Sequence, residues 1–216
     1  DANNGVINMG TMAVDGSFTL APNSTGAVTI VNDAGLNLAA STMGGTFSGT
    51  ATTGNITDSG ALAITGTTTL VTSADDATIT LDTTTNAFTG ALTITTNDSS
   101  GTDADVTIDG GTTALIIAAS TIDGDLTLTS GNSSGITDSG TVTVGGNLSA
   151  TTDANSGVID LGTAAVTGTV ALTTNGSGNA TVDNGTLNLD LAASNVGGNL
   201  TVTSGALAGI TDSGTV

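Results

Sequence analysis

Aspartate supplies every charged side chain in this protein, so its chemistry is limited to carboxylates, amides and hydroxyls. The 216 residues carry 19 acidic groups, all Asp, and no Lys, Arg, His, Cys, Trp, Tyr or Glu, which leaves a net charge of -19. Carboxylates close in sequence occur at Asp75-Asp76, Asp103/Asp105 and Asp123/Asp125. The last two are i, i+2 pairs, which share one face of a strand. Two such carboxylates are the minimum for glycoside hydrolysis, but an acidic sugar chain would find no cation to hold it. Ser and Thr are abundant, yet no imidazole, amine or thiolate is present to activate them. The expectation is a chain that is not an enzyme.

The same inventory bears on ligands. Zinc would lack its nitrogen and sulfur donors. Calcium, a hard cation that takes oxygen ligands, is the metal question the residues leave open. The segment Asn97-Asp98-Ser99-Ser100-Gly101-Thr102-Asp103-Ala104-Asp105 makes Asp98, Asp103 and Asp105 the calcium candidates, against the plainer reading of a solvated loop. Neither an EF-hand spacing nor a glycine-rich nonapeptide accompanies them. No organic cofactor is expected. Nucleic acid is excluded as a partner because phosphate binding rests on Lys and Arg, and anionic lipid surfaces would repel the chain. No run of 18 apolar residues is present, so no membrane insertion by a helix is expected. Sequons such as Asn23-Ser24-Thr25 and Asn199-Leu200-Thr201 leave glycosylation open.

The elements that position these residues are repeats. Ile56-Thr57-Asp58-Ser59-Gly60 returns as Ile136-Thr137-Asp138-Ser139-Gly140 and Ile210-Thr211-Asp212-Ser213-Gly214. Ala39-Ala40-Ser41 returns at Ala118-Ala119-Ser120 and Ala192-Ala193-Ser194, and the opening Asp1-Ala2-Asn3-Asn4-Gly5-Val6-Ile7 at Asp153-Ala154-Asn155-Ser156-Gly157-Val158-Ile159. One domain of three long copies follows: 1–74, 75–152 and a shorter 153–216. The recurring Asp58, Gly60, Asp138, Gly140, Asp212 and Gly214 are assigned as turn residues of equivalent coils, because Asp bonds to nearby backbone N–H groups and Gly tolerates tight approach. Asp33, Asp109 and Asp183, each two residues before a Gly, read the same way. The Ala pairs are placed where the backbone turns a tight inner corner.

Within each copy, apolar residues alternate with Thr, as in Leu92-Thr93-Ile94-Thr95, Val106-Thr107-Ile108, Leu126-Thr127-Leu128-Thr129, Val142-Thr143-Val144 and Leu200-Thr201-Val202-Thr203. That period of two marks half-buried strands. Turn signals such as Asn175-Gly176 and Asn184-Gly185 separate them, and Pro22, the single proline, belongs at a corner. Hydrophobic residues make up 37% of the chain, mean hydropathy is +0.29, and Phe18, Phe47 and Phe88 are the only aromatic rings. This is too apolar for a disordered acidic tail, yet the side chains are too small to fill a broad core. They fit a thin one. The predicted fold is an all-β, right-handed parallel β-helix, an elongated solenoid of about 19 residues per coil and about 11 coils. A β-sandwich of antiparallel hairpins is the rival. Thr-x-Thr pairs at Thr78/Thr80, Thr93/Thr95, Thr127/Thr129, Thr141/Thr143 and Thr201/Thr203 raise an ice-binding face, but their uneven spacing matches no single coil length, so they read as ordinary outward threonines.

The Gly/Asn/Thr/Asp texture, the recurring Ile-Thr-Asp-Ser-Gly segment and its continuation Val142-Thr143-Val144-Gly145-Gly146-Asn147-Leu148 resemble the filamentous haemagglutinin-like exoproteins of two-partner secretion. The resemblance implies a β-helical stalk of a very large bacterial adhesin, with no catalytic residues to carry over. The expected function is therefore a structural stalk of a secreted surface adhesin or extracellular fibre, located outside the cell or on its surface. The alternative is a self-assembling filament or surface-layer subunit joined end to end, with calcium assisting assembly. Expected partners are neighbouring coils or copies of the same chain, and a host or neighbouring cell met through regions beyond this sequence. Neither end shows a distinct capping segment, so the ends are expected to be covered by more chain or by neighbours.

Overall fold

Alternation of small aliphatics with Thr, broken every few residues by Gly, Asn or Asp, allows only short strands, and short strands are what form. The computed structural model describes residues 4–99 and 103–216. The opening Asp1-Ala2-Asn3 and Ser100-Gly101-Thr102 of the acidic loop lie outside the described residues. The described residues hold 26 strands and no helix. They form a 13-stranded, a 10-stranded and a 3-stranded sheet, in which strands of one coil pair with those of the coils before and after. Every pairing is parallel, from Ile7–Met12 on Val28–Asn32 to Leu189–Leu191 on Ile210–Asp212. The hairpin sandwich is thereby ruled out.

The result is a parallel β-solenoid of about 10 turns with roughly 21 residues per turn. The coil is slightly longer than expected because most coils have three sides with a turn at each corner. Coil length also varies. Along the 10-stranded sheet Ile56 pairs with Ile79, Ile79 with Val106 and Val106 with Leu126, and the middle step spans the most chain. That longest coil accommodates the acidic loop around Asp98 and Asp103.

The core is a set of vertical aliphatic columns. Leu36, Ile56, Ile79, Val106, Leu126, Leu148, Val170 and Leu191 stack in register, each buried. A second column runs through Leu81, Ile108, Leu128, Ala150 and Leu172. Each full burial of a Val, Leu or Ile contributes about 1.5–3 kcal/mol, so the columns supply the stability that disulfides or ion pairs supply elsewhere. The three Phe rings are all buried, and Gly49 makes room for one of them: a Cβ there would fall 2.8 Å from the Phe47 ring and 2.9 Å from Leu36.

Turn chemistry follows the sequence signals. Gly176 and Gly185 of the Asn-Gly pairs take φ of 58° and 55°, the left-handed region that glycine enters at no steric cost. Pro22 lies in the irregular segment between strands Ser17–Phe18 and Val28–Asn32. Outward threonines do form columns, contrary to the spacing argument. Thr57, Thr80, Thr107 and Thr127 align on one face, and Thr69 aligns with Thr93 on another. Variable coil length absorbs the uneven spacing. The first column then passes to Ser149 and Ala171, where the hydroxyl row ends.

One inward position breaks the apolar pattern. Thr68 sits in the column between Phe47 and Leu92, 1% exposed, and its hydroxyl has no hydrogen-bond partner. A buried unpaired hydroxyl costs about 1–3 kcal/mol. Thr68→Val keeps the shape and removes the polar atom, so thermal or denaturant unfolding should show a gain of about 1 kcal/mol. A loss of stability would mean the hydroxyl is paired.

Candidate functional site

The two recurring motifs turn out to be neighbours one coil apart. Leu36 pairs with Ile56, Leu115 with Ile136 and Leu189 with Ile210, so each Ala-Ala-Ser corner lies directly beneath an Ile-Thr-Asp-Ser-Gly corner. The backbone repeats with them: Ser59, Ser139 and Ser213 each donate an N–H to the carbonyl of Leu38, Ile117 or Leu191, at 2.8, 2.8 and 2.9 Å. A Cβ on Gly60 or Gly140 would fall 2.7 or 2.9 Å from the backbone nitrogen of Ala40 or Ala119, and Gly214 packs in the same way against Ala193. The Gly is needed because the coils touch there. Ala40, Ala119 and Ala193 are exposed, so the Ala pair lies on the outside of its corner, not the inside as expected. Its small size keeps the coil above within reach.

The residue that turns inward is the serine, whose role composition and spacing did not reveal. Ser41, Ser120 and Ser194 each donate Oγ–H to the carbonyl of Ala39, Ala118 or Ala192 (2.8, 2.8 and 2.9 Å). Each also accepts an N–H from the coil below, from Leu20, Ile94 or Leu172 (2.8, 3.0 and 3.0 Å). One hydroxyl thus holds two coils at a corner where the strand ladder is interrupted. Asn32 and Asn184 do related work. Asn32 accepts from Val14 N–H and donates to Val14 O (3.0 and 2.9 Å), and Asn184 does the same for Val166 (2.7 and 2.9 Å). Both amides are buried.

The aspartates act between coils as well. Asp58 accepts N–H groups of Asp82 and Thr83 (both 3.3 Å) and the side-chain amide of Asn86 (2.7 Å). Asp138 accepts from Gly162 and Thr163 N–H at 3.2 and 2.7 Å and from the Thr163 hydroxyl at 2.8 Å. Asp212 occupies the equivalent place in the exposed strand Ile210–Asp212. Asp109 and Asp183 make turns of their own, accepting from Gly111 and Gly185 at 2.7 and 2.9 Å. A carboxylate that receives backbone N–H groups needs no cation to be useful.

The densest acidic region includes the calcium candidates. Asp98 accepts the N–H of Asp103 (3.3 Å) and donates its own N–H to Asp123 (3.0 Å), while Asp105 accepts the N–H of Asp125 (2.8 Å). Asp75 accepts from Asn97, from Ser99 N–H and from the Ser99 hydroxyl. Asp103 and Asp98 lie near Asp76, whereas Asp105 is engaged with Asp125 of the next coil. Among the described residues, no group of three or more carboxylates is arranged to hold a metal ion. The Asp76 carboxyl is held above its ordinary value by local desolvation first, then by the charges of Asp98, Asp103 and Asp75. Asp76 is itself exposed, so salt screens this repulsion. Asp109 is also raised, chiefly by burial, against the lowering effect of its bond from Gly111 N–H.

Two outcomes test the corner chemistry. Ser120→Ala leaves the buried Ile94 N–H without its acceptor and should cost about 1–3 kcal/mol in unfolding free energy; an unchanged midpoint would remove the serine from the account. For Asp76 and Asp109 the folded value lies above the unfolded one, so in the window just above pH 3.8 the folded chain binds more protons at these two groups. The contribution of these two groups to stability should therefore rise as pH falls from neutral into that window, and replacing both by Asn should flatten that part of the stability profile; a double variant with an unaltered profile would contradict this.

Membership follows from the comparisons. A family described as repeats of unknown function (DUF5649) matches residues 25–95 and 103–173, two stretches of equal length that together cover nearly two thirds of the chain. Their starts, Thr25 and Asp103, lie one internal repeat apart. No curated protein and no solved structure matches the chain. With its repeat phase, stacked motifs and matched stretches all in agreement, the chain belongs to the DUF5649 repeat family.

Proposed function

We propose that this structural repeat protein is a non-catalytic rod: a stalk segment of a secreted bacterial surface adhesin or extracellular fibre that holds other parts away from the cell. One observation supports it above the rest, the unbroken parallel ladder with aliphatic columns running through successive coils. Ten coils at the roughly 4.8 Å strand spacing make a rod about 50 Å long. A load along that axis would be shared by every strand of a coil.

The surface chemistry agrees with life outside a cell. The absence of Lys and Arg leaves no site for trypsin-like proteases, and the uniform negative charge with almost no aromatic side chains disfavours nonspecific sticking. Asp and Asn at the corners bind the next coil, which gives them a structural reason to recur without a ligand. Direct adhesion through the shaft would lack the Trp and Tyr that anchor most binding hot spots.

Small-angle scattering of the 216-residue chain should give a rod-like pair-distance distribution with a maximum dimension of about 50–60 Å, together with a far-UV spectrum of β-structure only. A sphere-like distribution would defeat the stalk reading.

A further inference from the structure

Two internal Asn-Gly pairs, at 175–176 and 184–185, share one dipeptide and have opposite surroundings. Asn is among the thermolabile residues. Before Gly it can react with its own backbone, because the next peptide nitrogen reaches the side-chain carbonyl carbon with no Cβ in the way. Both pairs lie in coils that are covered above and below. Ser156 and Gly197 flank the first, and Val166 and Thr203 the second.

At Asn184-Gly185 every group the reaction needs is held. Asn184 is 1% exposed; its Oδ1 accepts from Val166 N–H at 2.7 Å, and its Nδ2 donates to Val166 O at 2.9 Å and Asn188 O at 2.6 Å. The N–H of Gly185 donates to the Asp183 carboxylate at 2.9 Å, and that negative charge opposes loss of the proton. Bonds from Asn184 N–H to Thr203 O and from Leu187 N–H to Asn184 O, each 3.0 Å, fix the backbone as well. Asn175-Gly176 is the reverse case. Both residues are exposed. Among the described residues, neither the Asn175 side-chain amide nor the Gly176 N–H has a hydrogen-bond partner. Turning the Asn175 peptide breaks one turn bond, from Gly178 N–H to Asn175 O at 3.1 Å. Its neighbours in the same stack of corners are tied down. Asn132 donates to Thr112 O and accepts from Ser134 N–H, both at 2.8 Å, and Asn155 donates to Gly131 O at 2.7 Å.

We propose that Asn175 is a self-modification site that consumes water, and that Asn184 is its protected copy. Hydroxide takes the proton of Gly176 N, which attacks Cγ of Asn175. The new N–C bond closes a five-membered succinimide as the Cγ–Nδ2 bond breaks, and Nδ2 leaves as ammonia with a proton returned from water. A second water opens the ring at either carbonyl. One opening gives aspartate with the main chain unchanged. The other gives isoaspartate, whose main chain runs through the former side chain and is one methylene longer. Either product adds a carboxylate to the net charge of -19. The longer link falls where space is least, because Gly197 of the next coil lies against Gly176 O. The corner thus passes from neutral to anionic with time and rising pH, at a rate the fold sets.

Peptide mapping by mass spectrometry, after the folded 216-residue chain is held at mildly alkaline pH, reads both sites in one sample. A sample unfolded in guanidinium chloride supplies the unconstrained rate at each. Pepsin makes the fragments, since the chain has no Lys or Arg, and an isoaspartyl methyltransferase marks the isoaspartate. In the folded chain Asn175 should convert within a few-fold of its unfolded rate, faster at higher pH, and Asn184 about 100-fold more slowly than its own. Gly176→Asn sets a side chain beside the attacking nitrogen. The fold accepts it, because the corner below carries Asn155 at the same place with φ of 54°, and conversion of Asn175 should fall about tenfold. Equal protection of the two sites in the folded chain overturns the proposal, and so does a Gly176→Asn variant that converts at the parental rate.

Discussion

Everything in this molecule depends on the parallel hydrogen-bonded contact between one coil and the next. A parallel pairing requires a long crossover between partner strands, and here the crossover is the rest of the coil. Each strand buries its inward residues only because coils above and below cover them, so no coil is a folding unit alone. The interior that results is narrow. It admits Val, Leu, Ile and Ala in columns, and it takes the Phe47 ring where Gly49 gives way. The scarcity of aromatic residues is a consequence of that geometry.

The same contact accounts for the polar residues. At corners the strand ladder stops, and backbone groups there need other partners. Ser41, Ser120 and Ser194 supply one solution, the Asn32 and Asn184 amides a second, and Asp58 and Asp138 a third. All bridge residues from successive coils. An Asp that accepts two backbone N–H groups is held by partial positive charge from the main chain, which helps explain how so many carboxylates persist with no basic side chain. The cost shows where they crowd, at Asp76 beside Asp75, Asp98 and Asp103.

Much of this was legible in the sequence. Alternation in Leu126-Thr127-Leu128-Thr129 identifies a strand, the repeats identify a solenoid, and Asn184-Gly185 identifies a turn, because each signal is local or rests on simple periodicity. Three things were not legible. Coil length was underestimated, since corner residues have no period of their own. The alignment of Thr80, Thr107 and Thr127 was hidden because the acidic loop lengthens the coil between Thr80 and Thr107. The third is the phase of the repeat. Ile56–Asp58 and Ile210–Asp212 lie in the 10-stranded sheet, whereas Ile136–Asp138 lies in the 13-stranded one. Between Ile56 and Ile136 the chain makes three coils and one additional side, so the copies do not superpose along the axis. Sequence spacing reveals the period and not its remainder. The bridging serine was missed for a different reason: its partner, the N–H of Ile94 or Leu172, lies a full coil away along the chain and carries no side-chain signature.

The register of the stack is its most direct test. Thr57 faces outward four rungs below Ser149 and five below Ala171, through Thr80, Thr107 and Thr127. Nitroxide labels on cysteines placed at Thr57 and Ser149, and at Thr57 and Ala171, should be separated by about 19 Å and about 24 Å, a step of one rung for one further coil of chain. Distances that do not increase by one strand spacing from the first pair to the second would contradict the stacked parallel coil and everything derived from it.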